Sequence, residues 1–332
     1  MKDERSMRIS GTRALGIWAL LVAVVACAPG GRLTPANGGS QSRASLRVLA
    51  VETFLADIAQ NVAGDRLRVE ALIPVGVDPH SFEPVPSDVR KVADCDVLIT
   101  NGAGLEQFLD RLLQNAGGRR LIVEAAAGLA SRVPGEAAHL TSRVFGEGEA
   151  LDQDHAQGDP HFWLDPNNVI TYAQNIRKGL EGVDPEGSLE YAASADAYAV
   201  KLKELDRWIV GQVSQVPQAR RLLVTNHESF GYFADRYGFT LIGTIIPSVG
   251  TEAAPSAQEL ARLTDRMRQL GVKAIFLETG SNAQLANQIA RETGIRVVTE
   301  LYTHSTSPPG GTAPTYLDMI RFNTAAILAA LK

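Results

Sequence analysis

The chain of 332 residues carries 32 basic and 37 acidic side chains, a formal net charge of −5. That mild acidity argues against a nucleic-acid partner and is compatible with holding a cation. Only two cysteines occur, Cys27 and Cys95, which excludes a disulfide framework.

The first residues read as an export signal. Lys2, Arg5, Arg8 and Arg13 give a net positive start despite Asp3 and Glu4. The apolar run over 14–26 is too short to span a bilayer but suits a signal core. It ends Val24-Val25-Ala26-Cys27, which resembles the bacterial lipobox, so Cys27 is the expected lipidation site and residues 1–26 the signal peptide. Residues 27–45, rich in Gly, Pro, Ser and Asn, are an expected flexible tether. Losing residues 1–26 removes four basic and two acidic side chains and leaves 28 against 35. Cys95, in Ala93-Asp94-Cys95-Asp96, reads as a small buried side chain.

From residue 46 strands and helices alternate. Strands are expected over 46–51, 68–73, 96–100 and 120–123, with helices over 54–63, 87–92 and 105–114. These belong to an N-terminal α/β lobe over 46–183. Residues 131–158 break the rhythm and are expected to form a surface loop; its His139 and His155, near Glu147, Glu149, Asp152 and Asp154, are candidates only for auxiliary metal capture. Asp184-Pro185-Glu186 then opens a helix. Leu189, Ala192, Ala195, Ala199, Leu202, Leu205, Ile209 and Val213 recur at helical spacing up to Pro217, so one long helix over 184–217 is expected to link two lobes as a spine. The C-terminal lobe, 218–332, repeats the alternation with strands over 222–225, 240–245, 274–278 and 296–301 and helices over 256–270, 283–293 and 315–331. The expected fold class is therefore α/β: two parallel-sheet βα lobes joined by a long spine helix, with a ligand site in the interlobe cleft beyond the strands' carboxyl ends.

Four of the six histidines sit in similar turn segments: Asp78-Pro79-His80-Ser81, Asp159-Pro160-His161-Phe162, Thr225-Asn226-His227-Glu228 and Tyr302-Thr303-His304-Ser305. Four neutral imidazoles can complete a tetrahedral metal shell. Ligand histidines need a partner on the other ring nitrogen. Glu83 or Asp78 is the candidate for His80, Asp165 or Asp159 for His161, Glu228 for His227, and Ser305, Thr306 and Ser307 support His304. Spacing alone does not separate four metal ligands from four hydrogen-bonded structural side chains.

The longer segments that contain these turns resemble the zinc- and manganese-binding lipoproteins that serve bacterial ABC importers, the cluster A-I (cluster 9) solute-binding proteins. The resemblance covers 46–332, chiefly 77–113, DPHFWLDPNNV over 159–169, VTNHESFGYFADRYGF over 224–239, 247–260, IFLET over 275–279, LYTHS over 301–305 and 315–331. It implies histidine ligands at His80 and His161. The third ligand position is histidine in many zinc binders and glutamate in many manganese binders; His227 fills it here. The fourth is commonly aspartate, and here the chain departs with His304. With no carboxylate at either variable position, Zn2+ is preferred over Mn2+. The resemblance further implies a monomeric receptor, lipid-anchored through Cys27 to the outer face of the bacterial cytoplasmic membrane, that hands metal to an ABC permease with its ATPase. The alternatives are a manganese receptor of the same family and a zinc-dependent hydrolase with Glu228 as base. No H-E-x-x-H helix supports the latter.

Overall fold

Apolar runs such as Val97–Thr100 and Ala274–Glu278 are buried along their whole length, as strands of a parallel sheet covered on both faces must be. The computed structural model describes residues 46–132 and 158–332. The expected signal peptide, Cys27, the tether, His139 and His155 lie outside the described residues.

Among the described residues two four-stranded parallel sheets form. The first contains β1 (Val48–Ala50), β2 (Val69–Ala71), β3 (Val97–Thr100) and β4 (Leu121–Glu124) in the order β2-β1-β3-β4. Val48 pairs with Val69 on one side and Val97 on the other. The second contains β5 (Leu222–Thr225), β6 (Thr240–Thr244), β7 (Ala274–Glu278) and β8 (Arg296–Leu301) in the order β6-β5-β7-β8. In both, the chain steps outward from one central strand and then crosses to the other side. Each sheet therefore has a switch point, between β1 and β3 or between β5 and β7, where loops diverge and a ligand can enter.

Among the described residues the helices are α1 (Thr53–Ala63), α2 (Pro86–Asp94), α3 (Leu109–Ala116), α4 (Pro166–Val183), α5 (Ser188–Val213), α6 (Gly231–Tyr237), α7 (Ala257–Leu270), α8 (Gln284–Thr293) and α9 (Tyr316–Leu331). Local chemistry sets several starts. Asp165 accepts from Asn167 N–H ahead of Pro166 in α4, and Ser256 with Glu259 forms a capping box on α7. The long helix is shorter than the sequence suggests: α5 has 26 residues, about 39 Å, and a separate 3-10 turn over Pro185–Gly187 precedes it. Asp184 does not cap that turn; its carboxylate holds Arg66 and the Tyr191 hydroxyl instead. Leu189, expected on the apolar face, is 87% exposed, and the buried stripe begins at Tyr191. That stripe packs α5 onto α4, α1 and α9. The 18-residue α4 was not foreseen, because Asn167, Asn168 and Asn175 dilute its apolar period with weak helix formers. Cys95 is buried, as expected.

The switch point of the first sheet holds two buried carboxyls. Glu52 follows β1 with both oxygens buried, and its hydrogen-bonding neighbour is the carboxyl of Glu106. Glu106 accepts the N–H groups of Asn101 and Gly102. Burial, then the neighbouring Glu106, pushes Glu52 well above the usual carboxylate range. Burial pushes Glu106 up to about 7, against the pull of the two N–H groups. Two carboxylates cannot both stay charged in such a place, so the pair retains a proton. Because these groups bind protons more tightly folded than unfolded, their stabilisation is complete below the unfolded value and is lost as pH rises through the folded one. Calorimetry should show the wild-type melting point falling as pH rises from about 4.5 through about 7. In Glu52→Gln, whose amide donates where the proton sat, the fall should be smaller, leaving a gap of roughly 3–6 °C at the alkaline end. Parallel curves would show that the pair holds no proton.

Candidate metal centre

Each of the four histidines is presented by a turn that its own neighbours fix. His80 lies in the 3-10 turn Pro79–Ser81, where Asp78 Oδ1 accepts its backbone N–H at 2.9 Å. The other Asp78 oxygen accepts the Thr251 hydroxyl, which fastens this turn to the segment after β6. His161 precedes the turn Phe162–Leu164, and Asp159 Oδ1 accepts its backbone N–H at 3.0 Å. Two residues on, Trp163 stacks on Phe54, donates its indole N–H to Thr303 O at 2.7 Å, and receives the Tyr316 hydroxyl on its carbonyl. The indole thus ties the His161 turn to the His304 turn. His227 stands two residues beyond β5, its carbonyl accepting the Thr225 hydroxyl at 2.8 Å. His304 stands three residues beyond β8.

These turns bring the four Nε2 atoms together. His161 Nε2 lies 3.3 Å from that of His80, 3.2 Å from that of His227 and 3.2 Å from that of His304. One ring nitrogen makes one hydrogen bond, so three such contacts cannot all be hydrogen bonds. A tetrahedron of nitrogens 2.0–2.1 Å from a central zinc has edges of about 3.3 Å, which is this spacing. His161 and His227 are fully buried, His304 nearly so, and His80 sits at the rim. A cavity of about 580 Å³ adjoins the cluster, with His304 and Glu278 in its wall.

Of the partners expected for the outward ring nitrogens, Asp159 is found at His161, and the others are replaced. Asp159 Oδ1 lies 2.9 Å from His161 Nδ1, and Arg132 bridges Asp159 to Asp235. Burial pushes Asp159 up to about 7, against the pull of the His161 N–H and of Arg132; as a carboxylate it accepts from Nδ1–H, which would leave Nε2 free for a metal. Asp165 does not reach His161 but caps α4, as its place before Pro166 dictates. Glu83 is exposed. Glu228 offers its backbone N–H to Ser248 O, while the carboxylate beside His227 is Glu278, whose Oε1 is 2.7 Å from Nδ1. That oxygen lies off the direction of the ring N–H, so the contact is a close charge contact rather than an aligned hydrogen bond. Glu278 Oε2 is 3.3 Å from His304 Nδ1, which also meets the Thr303 hydroxyl at 3.1 Å. Ser305 meets Thr53 and the Gly76 N–H, so it supports the turn and not the ring. Glu278 carries one signal in the sequence, an acid ending an otherwise apolar central strand, and no motif marks it.

Burial, then the neighbouring imidazoles, holds His80 and His161 well below the ordinary histidine value. They are neutral donors through the physiological range. For His304 burial pulls downward, but Glu278 outweighs it and the net shift is upward. Burial disfavours charge on Glu278, yet His227 and His304 hold it well below the usual carboxylate range. The donor set is thus four nitrogens with one carboxylate beside two of them, a composition suited to a borderline divalent metal.

A sequence model of the ZnuA family, the periplasmic component A of a zinc-uptake complex, matches residues 48–330. The chain belongs to this family. Among relatives, the manganese-binding lipoprotein MntA of Halalkalibacterium halodurans is 31% identical over 315 residues, covering 95% of this chain and 98% of that protein. The manganese ABC transporter substrate-binding lipoprotein PsaA of Streptococcus pneumoniae is 29% identical over 328 residues, covering 98% and 99%. The Mn-bound periplasmic metal binding protein from Candidatus Liberibacter asiaticus superposes with a TM-score of 0.73 at 27% identity, covering 87% of this chain and 100% of that one. The periplasmic zinc binding protein TroA from Treponema pallidum does so with a TM-score of 0.73 at 26% identity, covering 86% and 99%. As a family member the chain is a metal-binding solute-binding protein of an ABC importer and not an enzyme. Such proteins work with a permease and an ATPase, and among the described residues no helix is long and apolar enough to cross a membrane.

Proposed function

We propose that this protein captures zinc outside the cytoplasmic membrane through His80, His161, His227 and His304 and delivers it to its permease. The observation that carries this reading is the set of Nε2 separations around His161, with no carboxylate among the four converging groups. Four imidazoles suit zinc's tetrahedral preference, whereas manganese favours oxygen donors and more of them. The second reading, manganese, is favoured by the names of relatives such as MntA and PsaA. We further propose that Cys27 carries the lipid anchor, that residues 27–45 form the tether, and that the mature receptor is a monomer. Isothermal titration of the metal-free chain should give one tight zinc site per chain; absence of a zinc site would overturn the proposal.

The pH dependence follows from the unequal histidines. Protons compete with metal for each ring, and the ring with the raised value is protonated first as pH falls. His304 is that ring. Zinc affinity should begin to fall near neutrality with a slope approaching about one proton per metal, then more steeply once His80 and His161 protonate. Chelator competition across about pH 5.5–8 checks this, and His304→Ala should remove the shallow near-neutral part. A slope unchanged in that variant would contradict the assignment.

A further inference from the structure

We infer that Glu278 is the positioning residue of this metal site, one carboxylate holding both His227 and His304 in the ring state that presents Nε2 inward. The inference rests on the four-histidine metal reading and adds the residue that orients half of its ligands.

The topology puts Glu278 where it can serve both. It is the last residue of β7, which lies between β5 and β8, and the chain leaves those two strands to form the turns of His227 and His304. Its two oxygens divide between the rings: Oε1 is 2.7 Å from His227 Nδ1 and Oε2 is 3.3 Å from His304 Nδ1. The rings lie nearly parallel, centroids 5.1 Å apart with 26° between planes, so one planar carboxylate can address both. His161 has its own carboxylate in Asp159, and His80 sits at the rim.

The surroundings of Glu278 give it no other evident duty. It is 7% exposed, and among the described residues its ion-pair contacts are these two imidazoles, with the Ser229 hydroxyl donating at 3.4 Å. A carboxylate buried without lysine or arginine is costly unless it accepts from what surrounds it. An Nδ1–H on each ring turned to these oxygens would meet that need and leave both Nε2 lone pairs free. The carboxylate also places a negative charge beside a dication whose four ligands are neutral.

Glu278→Gln tests this, because an amide accepts from one ring but presents N–H to the other. The ring facing the amide N–H is driven to the Nε2–H tautomer, which cannot ligate. Zinc affinity, measured by chelator competition, should fall about 10–100-fold. Glu278→Asp, which keeps the charge but reaches less far, should recover part of the loss. Nitrogen-15 spectra of zinc-loaded wild-type protein should show exchange-protected Nδ1 protons on both His227 and His304, and Glu278→Gln should lose at least one. Should the variant not fold, the wild-type spectrum decides: two protected protons support the inference, and a rapidly exchanging Nδ1 proton on either ring overturns it. Wild-type affinity in a folded Glu278→Gln overturns it while leaving the zinc site standing. No zinc binding by the wild type removes the metal reading as well.

Discussion

Replacing His161 by alanine should weaken zinc binding about 100- to 1,000-fold, the share of one ligand in the roughly 10–16 kcal/mol of a four-ligand zinc site. His161 is the ring through which the cluster is connected, its Nε2 standing 3.2–3.3 Å from each of the other three. It is also fully buried and held by Asp159, so no water-exposed substitute can swing into its place. Titration calorimetry on the folded variant checks the loss, with circular dichroism as the control for the cavity that alanine leaves. His227→Ala should behave similarly, because that ring is equally buried. His80→Ala should cost less, since water can enter at the rim and take the vacated position. Near-wild-type affinity in both His161→Ala and His227→Ala would mean that the four rings do not act as one shell.

The second large effect is selectivity. In direct competition the wild-type chain should take zinc over manganese by about 100-fold or more, following the general order of divalent affinities at nitrogen sites. The two rings that set this preference are His227 and His304, which stand where a carboxylate would supply oxygen to manganese. His304→Asp should therefore narrow the ratio by about tenfold, mainly by weakening zinc, as an oxygen donor replaces nitrogen. Copper and nickel belong in the same assay, because nitrogen sites bind them tightly whatever the cell supplies. Equal affinity for zinc and manganese in the wild type would favour the reading that the manganese-binding relatives suggest.

What the sequence made legible follows from which signals are local. Strand runs such as Ile275–Leu277 and the proline-framed turn at His80 state their structure within a few residues. The turn segments marked the four histidines, and the family's motifs supplied their shared destination. Their convergence depends on crossovers that place β5 beside β7 and on the Trp163 bond to Thr303, neither of which any short window contains. The ring partners were the least legible. Glu83, Asp165 and Glu228 were chosen for nearness in sequence, but a side chain next in sequence points elsewhere as readily as toward its neighbour's ring. Glu278 reaches His227 and His304 from a different strand, and Asp159 reaches His161 because the Asp-Pro-His turn folds its carboxylate back. The α4 helix escaped for a related reason: its stability comes from burying Val169, Tyr172, Ile176 and Leu180 against the core rather than from helix-forming residues.

The most direct test is a crystal of the chain loaded with one equivalent of zinc, measured on both sides of the zinc absorption edge. A single anomalous peak is expected about 2.0–2.1 Å from the Nε2 atoms of His80, His161, His227 and His304. A peak elsewhere, or a zinc ion from which His304 has turned away with oxygen in its place, would contradict it.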